Sequence, residues 1–83
     1  MGLPDTLKHN LRRRREQLRL TQAQLAQRAT ERGGSPVHIS DISRWESGKR
    51  RPSMERIEAL AAALVCEPAD LMAGPLPPLP EGF

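Results

Sequence analysis

Eighty-three residues suffice for one small domain, near the lower limit at which a single core holds without disulfides or metals. With 37% hydrophobic and 2% aromatic residues, that core has to be aliphatic, around the lone Trp45; the single Cys66 excludes an internal disulfide and suits a reducing cytoplasm. No apolar run approaches the roughly 20 residues that span a bilayer, and the N-terminus lacks the apolar region of a secretion signal, so a soluble, cytoplasmic protein is expected. The net charge of +3 is segregated: all thirteen Lys and Arg lie between Lys8 and Arg56, which gives residues 1–56 a charge of +7 and residues 57–83 a charge of −4. A basic body of this kind favours a polyanionic partner.

Leu7, Leu11 and Leu18 recur at i, i+4 and i+11, which predicts a first helix from about Pro4 to Arg19. Arg15 falls in its apolar stripe, where a guanidinium requires an acceptor. Glu46, beside Trp45, can supply one, so an Arg15–Glu46 ion pair tying the first helix to the third is expected; the competing reading is an Arg15 that snorkels to solvent. Arg12, Arg13 and Arg14 read mostly as a solvated helix face. Thr21 followed by Gln24 is a capping box and opens a second helix containing Leu25, Ala26 and Ala29, which Gly33-Gly34 stops. Ser35-Pro36 has the form of an N-cap and first helical position for a third helix, ended by Gly48. Arg51-Pro52-Ser53 is a turn, with Ser53 capping a fourth helix whose Ile57, Leu60, Ala61 and Leu64 share one face. Pro68 begins a last short helix holding Leu71. Residues 74–83, GPLPPLPEGF, carry four prolines and read as an extended or disordered tail. The expected architecture is all-α: a five-helix domain over residues 1–73 and a proline-rich tail over 74–83.

The third helix and the loop after it, SPVHISDISRWESGKRRPS (35–53), carry the chemistry. Val37, Ile42 and Trp45 provide the packing side, which leaves Ile39, Ser40, Ser43 and Arg44 to face outward. Serine hydroxyls donate and accept, a guanidinium can fork onto guanine, and Lys49, Arg50 and Arg51 suit phosphates. The competing readings are hydroxyls bonded to their own helix and an ordinary exposed arginine. Catalysis has no comparable support: the sequence contains no Gly-rich phosphate loop, nucleophile elbow or paired carboxylates. His9 and His38 lack the spacing for a metal site with Cys66, and neither has a nucleophile partner. No cofactor or metal is expected.

Three ordered blocks, TQAQLAQRA (21–29), VHISDISRWESGKRRPS (37–53) and LAAALVCEPADL (60–71), resemble the Cro/lambda-repressor-type helix-turn-helix regulators of bacteria and phages, the xenobiotic response element family, over about residues 7–72. The resemblance implies a compact lambda-repressor-like domain with its motif at about 21–47 and the third helix in the major groove. By the same resemblance, Thr21 and Gln22 approach a phosphate or steady the third helix. His38, Ile39, Ser40, Ser43 and Arg44 match groove-facing positions, Arg15 and Glu46 a buried pair, and Gly48 to Arg51 the loop along the DNA backbone. One of the first helix's arginines would reach phosphate, and Cys66 matches a buried valine. The chain departs from the family at TERGGS, which makes an extended turn at about 30–36: this either lengthens the second helix or bulges toward DNA, with Arg32 adding a phosphate contact. Val65 also stands where glycine is usual after the fourth helix.

The expected function is a sequence-specific double-stranded DNA-binding transcriptional regulator of the repressor kind. It would act as a homodimer on an inverted repeat, nucleoid-associated when bound, with no enzymatic activity and no membrane. The dimer surface is expected around the acidic last helix and Leu76 or Leu79. The alternatives are an antitoxin-like or accessory module whose PLPPLP tail grips a protein partner, with DNA binding secondary, and non-specific nucleic-acid packaging.

Overall fold

The computed structural model describes residues 6–81. Five helices occur in the order α1 (Thr6–Gln17), α2 (Gln22–Gly33), α3 (Ile39–Ser47), α4 (Met54–Ala63) and α5 (Pro68–Met72). No strand occurs among the described residues. The expected start of the first helix at Pro4, and the last two residues of the tail, lie outside the described residues.

Each start is set by a local polar contact. The Thr21 hydroxyl accepts the Gln24 N–H at 3.0 Å, and Gln24 Oε1 accepts the Thr21 N–H at 2.8 Å, so the reciprocal box satisfies two of the donors a helix start leaves open. Ser53 Oγ accepts the Arg56 N–H at 3.3 Å to open α4, and Pro68 occupies the first turn of α5. The third helix starts later than Ser35-Pro36 suggests: His38 is its N-cap, and the Asp41 carboxylate accepts the His38 N–H at 3.0 Å. The physical reason lies upstream. Residues 30–33 continue α2, and the chain then needs Gly34 in the left-handed region (φ 75°), a bend at Ser35 and an extended His38 before it can turn into α3. The extended turn therefore occupies 34–38, and the extra residues lengthen the second helix.

The helix ends differ in chemistry. Gly48 ends α3 at φ 81°, but α1 and α4 are closed by Arg19 and Val65, both at φ 57°. After α4, the Cys66 N–H reaches the Ala61 carbonyl at 3.0 Å and the Val65 N–H reaches Ala62 at 3.4 Å, the paired bonds of a Schellman closure. Glycine would take that conformation freely; a β-branched residue does so only against steric resistance.

Leu7, Leu11, Leu18, Leu25, Ile42, Trp45, Ile57, Leu60, Leu64 and Leu71 form one buried cluster. Each such side chain contributes about 1.5–3 kcal/mol on leaving water, which is what allows helices of five to twelve residues to persist when each alone would be marginal. Small residues let α2 and α4 approach: a Cβ added to Gly33 would stand 2.6 Å from the Ala59 Cβ. Cys66 is half-buried at the edge of the cluster, and burial pushes its thiol pKa up.

Arg14 corrects the expectation of a solvated arginine face. Its side chain is fully buried. Nε donates to the Leu64 carbonyl (2.8 Å), Nη2 to Val65 (2.8 Å), and Nη1 to Pro77 (2.7 Å) and to Gln17 Oε1 (3.3 Å). One turn earlier, Asn10 Nδ2 donates to the carbonyls of Asp70, Leu71 and Gly74 at 3.0–3.2 Å. These two residues clasp the end of α4, the end of α5 and the start of the proline-rich segment against α1. Residues 75–80 have no regular secondary structure, yet Leu76 lies half-buried against the core.

Candidate nucleic-acid interface

The face that α3 turns outward is the one left after Ile42 and Trp45 enter the core. His38, Ser40, Ser43, Arg44 and Ser47 are exposed, as is Ile39 at 54%. Among the described residues neither Ser40 nor Ser43 bonds back to its own helix, whereas Ser47 Oγ donates to the Arg44 carbonyl at 3.1 Å. Two hydroxyls and one guanidinium therefore stand beside an apolar side chain on one face.

That helix is held by its inner edge. Arg15 Nε and Nη2 donate to the two oxygens of Glu46 at 2.7 and 3.0 Å, and Nη1 donates to the Leu20 carbonyl at 2.9 Å. The side chains are 13% and 6% exposed, so this forked pair is largely removed from water, and donating to the Glu46 carboxylate raises the Arg15 pKa. Gln22 Nε2 adds a third donor to Glu46 at 3.2 Å. One carboxylate thus joins the end of α1, the start of α2 and the last turn of α3. Thr21 is occupied in its capping box, so both residues expected at the start of α2 have internal partners.

Beyond Gly48, Lys49, Arg50 and Arg51 are exposed, and the Arg50 N–H folds back to the Arg44 carbonyl at 3.3 Å. Gly48 is required by its positive φ, and the Lys8 side chain lies against it: a Cβ would meet the Lys8 Cδ at 3.0 Å and Nζ at 3.3 Å, a crowding that this flexible side chain relieves by a small shift. Lys8 of α1 therefore brings a further cation to the end of α3, where helix carbonyls favour it. Sequence reasoning missed it, because only the crossing of α1 over α3 puts it there. The three consecutive arginines of α1 part company. Arg12 lines an open groove with Gln22, Ser43 and Ser47, Arg13 lies with Pro75 and Leu76, and Arg14 is interior. A signal for Arg14 was present: Leu7, Leu11, Arg14 and Leu18 fall at i, i+4, i+7 and i+11, one helical stripe. The exposed Arg12–Glu16 contact at 3.6 Å contributes little.

A basic, hydroxyl-bearing helix face propped on a two-helix frame has the form of a groove-reading motif. The helix-turn-helix domain family matches residues 7–73. The chain belongs to that family. Among solved structures, the helix-turn-helix chain is similar to the P22 c2 repressor protein, determined in complex with synthetic operator 9T in the presence of Tl+. The two share 34% sequence identity and a TM-score of 0.68, over 82% of this chain and 94% of that one. This helix-turn-helix protein is of the Cro/lambda-repressor type, and its fold is the lambda-repressor-like one. No curated protein matches the chain. Among the described residues, no helix is long and apolar enough to cross a membrane, and no three His, Cys, Asp or Glu side chains gather as a metal site.

Proposed function

We propose that the protein is a sequence-specific double-stranded DNA-binding transcriptional regulator that acts as a repressor, with α3 in the major groove. The observation that carries this reading is the outward face of α3, where Ile39, Ser40, Ser43 and Arg44 project beside the exposed loop 49–51. Arg44, Ser40 and Ser43 read base edges, His38 flanks them, and Ile39 offers an apolar contact of the kind thymine methyls accept. Lys49, Arg50 and Arg51 neutralise phosphates, which supplies affinity and makes binding salt-dependent, while the start of α2 at Thr21 and Gln22 approaches a phosphate without adding charge, and Gln22 steadies α3 through Glu46. The likeness to a repressor bound to operator DNA supports the same assignment.

A single domain covers a half-site, so the functional form is a homodimer on an inverted repeat with half-sites about 34 Å apart. The reading is one of binding, with no reaction assigned. The rival in which the tail grips a protein loses support from the docking of Leu76 and the Arg14–Pro77 hydrogen bond, which a partner would have to displace. A DNA-binding selection at two salt concentrations tests the proposal: it should return a symmetric preferred site, with affinity that falls steeply as salt rises. Equal binding to random and selected duplexes would overturn it.

A further inference from the structure

The connection between α2 and α3 is clamped from both sides. Thr30, on the last full turn of α2, accepts the Val37 N–H on its hydroxyl at 2.8 Å and gives its own proton to the Ala26 carbonyl at 2.8 Å. Arg56, reaching from α4, donates through Nη1 to the Pro36 carbonyl at 2.8 Å and to the Ser35 carbonyl at 3.3 Å. Val37 itself is buried. Backbone polar groups of the turn at 34–38 are thereby satisfied by two side chains outside it, and it leads directly into His38, the N-cap of α3, and Ile39, its first residue.

We infer that Thr30 and Arg56 are positioning residues for base reading, which hold the N-terminal half of α3 in one register against the groove. The inference rests on α3 being the reading helix. A nine-residue helix does not hold its own conformation in water. Its C-terminal half is tied through Glu46; its N-terminal half, which carries Ile39 and Ser40, is tied by Ile42 in the core and by this turn. Without the clamp the first turn of α3 has to be ordered anew on each specific encounter, and that entropy weakens specific binding. Phosphate contacts from the loop 49–51 do not depend on it, so binding to an arbitrary duplex is unaffected.

The test compares the full chain with Thr30→Val, Thr30→Ser and Arg56→Gln on a selected duplex and a scrambled one, across a salt series. Thr30→Val keeps shape and charge but removes the acceptor; Thr30→Ser keeps the acceptor. The preference for the selected duplex should fall about tenfold in Thr30→Val and in Arg56→Gln, the scale of one lost hydrogen bond. Thr30→Ser should retain it, and the salt slopes should match the parent's. Unchanged preference in both Thr30→Val and Arg56→Gln overturns the inference. So does an Arg56→Gln that weakens both duplexes alike with a salt slope smaller by about 0.9, the mark of a lost phosphate contact. A parent chain that does not discriminate at all defeats the reading of α3 and this inference with it; a discriminating parent with equally discriminating variants defeats only the inference.

Discussion

The end of α1 and the outer face of α3 are both built on arginine, and they treat it in opposite ways. Arg14 and Arg15 have every branch of their guanidinium groups engaged inside the molecule, one on carbonyl oxygens and the other mainly on a carboxylate. Arg44 and Arg50 stand in solvent. Within the first region, moreover, Arg15 joins the motif helices while Arg14 joins the end of α4 and the proline-rich segment to α1. Charge count alone predicts none of this. What separates the classes is how many fixed acceptors the surrounding backbone provides, because a cation leaves water only where its donors are met.

Arg14→Met should destabilise the protein most. It leaves the buried Leu64 carbonyl and the partly buried carbonyls of Val65 and Pro77 without their donor and a guanidinium-sized space poorly filled, a loss of about 3–5 kcal/mol. For a domain of this size that lowers Tm by more than about 12 °C, measured by circular dichroism. A Tm within a few degrees of the parent would show that Arg14 is replaceable and does not hold the end of α4 and the proline-rich segment to α1.

Glu46→Ala comes next. It strands Arg15, whose side chain is 13% exposed, so the loss should be about 2–3 kcal/mol, below that of a fully enclosed pair. It should also loosen α3 against the start of α2, seen as faster amide exchange in α3 than in α4. An unchanged melting curve would mean that the forked pair contributes nothing net.

The outward arginines should behave differently: neither substitution should move Tm appreciably. Arg44→Ala should lose about 1–3 kcal/mol of discrimination between the preferred and altered bases, whereas Arg50→Ala should weaken all duplexes alike and reduce the salt slope by about one. Identical base preferences for the parent and Arg44→Ala would remove Arg44 from the reading face.

Changes on the acceptor side of Arg14 should matter least. Val65 is held at φ 57°, which presents successive carbonyls of Leu64 and Val65 to Arg14. Val65→Gly should keep that geometry without the steric resistance. Its gain of roughly 0.5–1 kcal/mol is the strain relieved, less the extra freedom glycine has when unfolded; Tm rises by a few degrees. Arg19→Gly, at the same φ but without a β-branch, should gain less. A Val65→Gly protein that melts lower would mean that the side chain's packing outweighs the backbone cost.

What the amino-acid order determined by itself is what acts within about one helical turn. The Thr21–Gln24 box, the Ser53 cap, Pro68 at the head of α5, and the apolar spacing of α1 and α4 are all short-range, and each element stands where those signals put it. The outward set on α3 was legible for the same reason, since Ile42 and Trp45 mark the inner side of the helix directly. The tertiary structure alone decided the rest. Ser35-Pro36 has every local mark of a helix start, yet α2 runs on to Gly33 because Gly33 can lie against Ala59, and the turn is then held by Arg56 from a helix twenty residues later. Arg14 is interior because its acceptors come from residues 50 to 63 positions away, and the proline-rich segment lies on the domain because it supplies one of them. Local propensity reaches about four residues along the chain. Whether a buried cation finds oxygen is settled only once distant backbone has been folded around it.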